Sequence, residues 1–300
     1  MTSAGIASRA LPNDLEPDRL RLRPGEAGSV AVDPAGAGWR YLSFRSARLA
    51  SGSALAVGGR LIETAIVVLA GSVELDLDGG QRLSLPGRPS VWEGLPWAVY
   101  LPPGSAGRLR ALDAEAHLAI ASVASAGAEG VSTRPLVIGP EDVTVEIRGA
   151  GNATRQINHI IAPAFPAHRL ELVEVYTPSG NWSSWPPHKH DTDDMPGEAV
   201  LEEVYYYGFR RPQAWGVQRL YRRDGSRDAL WAVRDGELVV VTDGYHPFVA
   251  THGDDAYYLN ALAGDRRTMA CSFDPDLDWV RAGWAGMKPD PRVPLVPPRR

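Results

Sequence analysis

Cysteine is nearly absent. Cys271 stands alone in 300 residues, so no disulfide can form within the chain, and a reducing cytoplasm is the compartment this suits. Cys271 lies in an apolar, strand-like run and reads as core rather than nucleophile. Long apolar runs are missing as well. Stretches such as Ala65-Ile66-Val67-Val68-Leu69-Ala70 fall far short of a bilayer's thickness, so no membrane segment is expected. No charged start followed by an apolar stretch opens the chain, so no secretory signal is visible. The formal net charge is −5 and no Lys/Arg cluster sits among stacking aromatics, which argues against nucleic acid as a partner. Sustained helical periodicity is scarce. Histidine is sparse too, with seven in the chain and only His117 in its first half.

What fills the chain is punctuation and short strands. The 31 glycines and 25 prolines are spread throughout, and between them lie runs rich in Val, Leu, Ile and Tyr. This is the all-β pattern of a sandwich or barrel. In a first unit, 66–69, 73–77, 81–85, 90–92, 98–101 and 118–122 read as strands, with turns at Gly71, Gly79-Gly80, Pro86-Gly87 and Pro102-Pro103-Gly104. In a second, 170–176, 201–207, 214–221, 229–233, 238–241, 248–251, 256–262 and 267–273 read as strands, about the number that a Greek-key or jelly-roll barrel uses. The expected layout is an N-terminal tail over 1–20, one barrel over 21–140, a second over 141–287, and a proline-rich, extended or disordered tail over 288–300.

The chemistry-bearing residues gather in the second unit. His188 and His190 sit two apart after Pro186-Pro187, and on an extended chain residues two apart face the same way. Both imidazoles can therefore aim at one point, as a metal ion requires. Glu203 follows in Leu201-Glu202-Glu203-Val204-Tyr205-Tyr206-Tyr207, and His246 in Gly244-Tyr245-His246-Pro247. If Glu203 faces inward, so do Tyr205 and Tyr207, while Glu202, Val204 and Tyr206 face away, and Lys189 turns opposite to its flanking histidines. His188, His190, Glu203 and His246 would leave an open position on a divalent ion. His252 rivals His246 but sits in a turn-like, exposed stretch. His117, His159 and His168 lack a paired neighbour and read as structural.

These residues resemble the cupin metal motif, which implies an all-β bicupin of two Greek-key/jelly-roll β-barrels, the first without a metal site. A closer resemblance is to the 5-deoxy-glucuronate isomerases of inositol catabolism, related to the 4-deoxy-5-keto-uronate isomerases. It is carried by 148–156, Asn181-Trp182-Ser183-Ser184-Trp185-Pro186-Pro187-His188-Lys189-His190-Asp191, 201–207, Gln218-Arg219-Leu220-Tyr221, 244–247 and Tyr257-Tyr258-Leu259-Asn260. The first half matches more loosely, at 92–96 and 100–102. The gap from His190 to Glu203 exceeds that of cupins in general, a feature the isomerase family shares. The resemblance implies an aldose–ketose isomerase converting 5-deoxy-D-glucuronate to 5-dehydro-2-deoxy-D-gluconate with one divalent ion (Zn, Mn or Fe) as Lewis acid. Glu203 could both hold the ion and shuttle a proton between C2 and C1, assisted by Tyr205, Tyr207 or Tyr258. Arg155 and Arg219 are candidates for clamping the sugar-acid carboxylate. Gln218 points opposite to Arg219, so one of the two reaches the cavity. A cupin Fe(II) dioxygenase and a non-enzymatic sugar-binding bicupin are the alternatives, and a homo-oligomer is left open because exposed sheet edges can pair between subunits.

Overall fold

The computed structural model describes residues 15–298 except 26, 126 and 128–130. The chain is all-β, as its punctuation predicts. Most described strands lie in three sheets, and a two-stranded ribbon pairs His188–Lys189 with Ser272–Phe273.

The first unit is built on one long strand, Ile62–Leu77, which pairs with Glu115–Ala124 on one side and Trp97–Leu101 on the other. The sequence predicts a turn at Gly71; the structure instead carries the strand through it as a bulge. Gly71 has φ +81°, and a Cβ there would come within 2.7 Å of the Glu115 carbonyl, so glycine permits the bend without ending the strand. The strand's inner side chains Ile66, Val68, Val73 and Leu75 pack with Leu85, Val99, Leu109 and Leu118 in a wholly aliphatic core. The 90–92 segment, expected as a strand, is a turn held by Ser90, whose hydroxyl donates to Glu93.

The second unit has a seven-stranded antiparallel sheet in the order Arg21–Leu22, Leu238–Val241, Leu201–Phe209, Ala256–Gly264, Leu170–Thr177, Arg155–Ile161, Thr144–Arg148. A four-stranded sheet of Trp182–Ser183, Phe248–Ala250, Trp215–Tyr221 and Asp228–Arg234 faces it. Phe248 meets the rings of Tyr207 and Tyr258 at 5.4 and 5.5 Å between the two. Two boundaries differ from expectation. Arg21–Leu22 joins this sheet rather than the first unit, pairing with Val239 and Leu238. The proline-rich tail is extended but docked: Val296 is buried and exchanges backbone bonds with the Gln156 amide at 2.8 and 3.1 Å. Only Ser272–Phe273 of the expected 267–273 strand forms, because Arg267 draws its segment into a loop by donating to the carbonyls of Leu170, Phe165, Ala162 and Ala167.

The outer face of the seven-stranded sheet packs on the first unit, with Leu172, Val204, Tyr206 and Ala261 against Leu42, Phe44, Val67 and Ala121. Two glutamates tie the halves reciprocally. Glu202 accepts the backbone N–H groups of Arg40, Tyr41 and Leu42, and Glu63 accepts those of His168, Arg169 and Leu170. Between them lies a buried ion pair of Arg88 and Glu174, to which Tyr257 also donates at 2.9 Å.

Candidate active site

The alternation along Leu201–Phe209 sets the site. Glu203, Tyr205 and Tyr207 face the interior between the two sheets, opposite Leu262, Asn260 and Tyr258 of the neighbouring strand. Glu202 faces the first unit and Tyr206 packs on Phe44, as period two requires. His188 and His190 enter from the short ribbon, and His246 from the loop before Phe248–Ala250. Their ligand nitrogens all lie within 4.8 Å of one another. The Glu203 carboxylate joins them, with Oε2 2.9 Å from His190 Nε2 and 3.2 Å from His246 Nε2. Lys189 points away into a separate cluster, where its ammonium binds Asp191, Thr192 and Glu198.

The donor chemistry of this group calls for a cation. His190 Nδ1 lies 2.9 Å from the Leu201 carbonyl and His246 Nδ1 2.9 Å from the Gly244 carbonyl. A carbonyl only accepts, so each Nδ1 carries the proton and each neutral ring presents a lone pair at Nε2. Both lone pairs converge on a carboxylate oxygen, which also only accepts. His246 Nε2 is buried without a properly directed partner. Three imidazole nitrogens and a carboxylate at these separations suit one divalent ion at ordinary ligand distances of about 2.0–2.2 Å. Without the ion, burial opposes charge on both partners, yet the Glu203 carboxylate raises His190 above the ordinary histidine range and its own carboxyl is held down at about 2, so the pair meets by taking a second ring proton where a cation would otherwise sit. Burial, with the neighbouring imidazoles of His246 and His190, drives His188 well below the ordinary histidine range, which keeps it a neutral ligand.

His188, His190 and Glu203 of this cluster line a cavity of about 940 Å³. Arg155 lines it, buried, donating to the carbonyls of Ala153 and Trp185 at 3.1 Å. Among the described residues no carboxylate forms an ion pair with it, and burial pulls its guanidinium down to about 10. Tyr205 and Tyr258 line the wall between, their hydroxyls 2.8 Å from Ser184 and 2.5 Å from Ser183. Ser184 is the one described non-glycine residue with positive φ, +49°, a strained position of the sort that gathers at functional sites.

Arg219 is placed elsewhere. It pairs bidentately with Asp228 and lies over Tyr221, clear of the cavity. Gln218 does face inward, yet it is spent holding the Tyr207 hydroxyl at 2.6 Å and the His246 carbonyl at 2.8 Å. Tyr207 therefore lies beneath the cavity wall rather than on it. Two residues read as incidental do line the cavity: His159, 2.9 Å from Glu146, and Cys271, whose thiol burial pushes up to about 11. The run Arg155-x-Ile157-x-His159 carried the period-two signal for this wall. His252 is exposed, and His117 is a core partner of the Tyr206 hydroxyl at 3.1 Å.

An all-β chain that gathers three histidines and a glutamate against one cavity has a cluster that could hold a metal ion. The model of the KduI/IolB family matches residues 18–280, and the chain belongs to that family. It is 41% identical over 263 residues to the 5-deoxy-glucuronate isomerase of Geobacillus kaustophilus, covering 86% of this chain and 92% of that one. The 5-deoxy-glucuronate isomerase of Lacticaseibacillus casei is 39% identical over 221 residues, 73% of this chain and 79% of its own. A crystal structure of an IolB-like protein from Salmonella typhimurium superposes with a TM-score of 0.82 at 32% identity, over 87% of this chain and 99% of that one. Lactobacillus farciminis oxalate decarboxylase shares the fold alone, with a TM-score of 0.58 at 11% identity over 94% of this chain and 92% of its own. Among the described residues no helix is long and apolar enough to cross a membrane.

Proposed function

We propose that this protein is a metal-dependent aldose–ketose isomerase that converts 5-deoxy-D-glucuronate to 5-dehydro-2-deoxy-D-gluconate in myo-inositol catabolism, in the cytoplasm. The observation that carries the reading is one cavity lined both by the histidine–glutamate cluster and by a buried arginine, Arg155, that has no acidic partner among the described residues. His188, His190, His246 and Glu203 would hold one Zn, Mn or Fe ion. Such an ion supplies Lewis acidity at the carbonyl and neighbouring hydroxyl of the open-chain sugar.

The chain's own groups account for the rest. Arg155 receives the C6 carboxylate through its guanidinium fork, without first having to release an acidic partner. Tyr205 and Tyr258, fixed by the two serines, orient the hydroxyl-bearing middle of the substrate. Glu203 takes the C2 proton as the C1–C2 enediol forms and returns it to C1, while the proton of the C2 hydroxyl passes to O1, so that the aldehyde becomes a primary alcohol and C2 a ketone. Deuterium from solvent at C1 of the product tests this proton route against a direct hydride shift. The two β units read as paired cupin barrels over 21–140 and 141–287, with Arg21–Leu22 passing to the second, and the aliphatic filling of the first supports its lack of a site. Replacing His188 by alanine should remove bound metal, measured by native mass spectrometry, together with turnover; full activity in a metal-free variant would overturn the assignment.

A further inference from the structure

Resting on that reading, we propose that Ile157 and Val175 are the specificity-determining residues that select an acid lacking a hydroxyl beside its carboxylate. Strand register orders the cavity wall from the metal end outward. Glu203 marks the first inward position. Tyr205 marks the next, level through Asn260 with Val173. Tyr207 marks the third, level through Tyr258 with Val175, which in turn pairs with Ile157. Arg155 comes one inward position beyond Ile157 on the same strand. Ile157 is thus the inward neighbour of Arg155, and a six-carbon acid whose C6 sits at Arg155 brings C5 to the Ile157–Val175 pair. Directly paired residues have their Cβ atoms about 4.5–5.5 Å apart, so these two form a continuous aliphatic patch. Both line the cavity and are otherwise buried.

The polar groups at this level are already committed. The Tyr258 hydroxyl, held by Ser183, is the group assigned above to the hydroxyls of the substrate's middle. Glu146 is level with Ile157, but Arg148 holds Oε1 at 2.7 Å and Oε2 at 2.8 Å, and His159 also reaches Oε2 at 2.9 Å. A methylene at C5 suits the patch. A hydroxyl at C5, as D-glucuronate carries, would lose its water there and gain no partner, a penalty that corresponds to roughly tenfold to a hundredfold in affinity.

The metal-loaded protein is assayed with both sugar acids, and kcat/KM should favour 5-deoxy-D-glucuronate over D-glucuronate by about tenfold or more. Calorimetric binding of 2-deoxy-D-gluconate and D-gluconate, which differ only in the hydroxyl beside the carboxylate, should show the same preference without needing turnover. Val175→Thr and Ile157→Thr, checked for folding and metal content, should each narrow both ratios by offering a hydroxyl. Equal handling of either pair by the unmodified protein, or unchanged ratios in both folded variants, overturns the proposal. A binding preference without turnover of either sugar would leave this recognition standing and refute the isomerase reading. Undiminished gluconate binding by Arg155→Ala would refute the clamp and the ordering built on it.

Discussion

Asp191 does not line the cavity, yet replacing it by alanine should weaken metal binding. Its Oδ2 accepts the Gly244 N–H at 2.8 Å, and the Gly244 carbonyl accepts His246 Nδ1–H at 2.9 Å. Its Oδ1 is held by Lys189 at 2.6 Å, so the carboxylate is a fixed anchor. One residue thus joins the loop that carries His188 and His190 to the loop that carries His246. A hydrogen bond to a charged group contributes about 1.5–3 kcal/mol. Part of that would be recovered as the Gly244 loop relaxes, and the part that fixes the ring should appear as a tenfold to hundredfold loss of metal affinity, on the order of 1.4–2.7 kcal/mol. Chelator competition measures it, with Asp191→Asn as the control that keeps an acceptor while removing charge; it should retain much of the affinity. Faster exchange of the Gly244 amide in Asp191→Ala would show that the contact was broken. Wild-type affinity in a variant with that exchange would refute the idea that this link positions His246.

Arg155→Ala should raise KM for the sugar acid roughly tenfold to a hundredfold with metal content unchanged, whereas Arg219→Ala, which removes an exposed pair with Asp228, should leave kinetics unaltered. Burial pushes Glu171 up to about 7 against the pull of Arg267 and of the Thr268 backbone N–H, and neither of its oxygens makes a well-directed hydrogen bond. Because the folded carboxyl holds its proton more tightly than the unfolded one, stability should fall as pH rises from about 4.5 to 7 and then level off. Glu171→Gln should therefore raise stability by roughly 3 kcal/mol at pH 8 and change it little at pH 4, measured by denaturant titration. Arg88→Leu strands Glu174 at the interface between the two units and should cost about 3–5 kcal/mol; a midpoint within experimental error of the parent would contradict the burial of that pair.

Period two made the second unit's interior legible. It placed Tyr205 with Glu203, turned Lys189 away, and assembled the four nominated ligands from segments far apart in sequence. Arg219 escaped because parity fixes a face but not a sheet: its strand lies in the four-stranded layer, where the outward face meets Asp228. The cavity wall of Arg155, Ile157 and His159 was only half read, because His159 was judged by its lack of a histidine partner when its partner is Glu146 on the next strand. Composition alone left the C-terminal tail extended or disordered. The anchor there is a backbone exchange with the Gln156 side chain, which no composition reports.

The adjacent glutamates of Leu201–Phe209 carry a constraint of their own. Glu202 fastens the neighbouring unit, and Glu203 reaches into the metal cluster. A slip of this strand by one residue would exchange their faces, pointing the fastening carboxylate at the imidazoles and the ligand carboxylate at the backbone of Tyr41. Assembly of the two halves and formation of the metal site are thus proofread by the same alignment. A chain misregistered here cannot close its halves properly and still bind metal. A single deletion inside the strand would forfeit both at once.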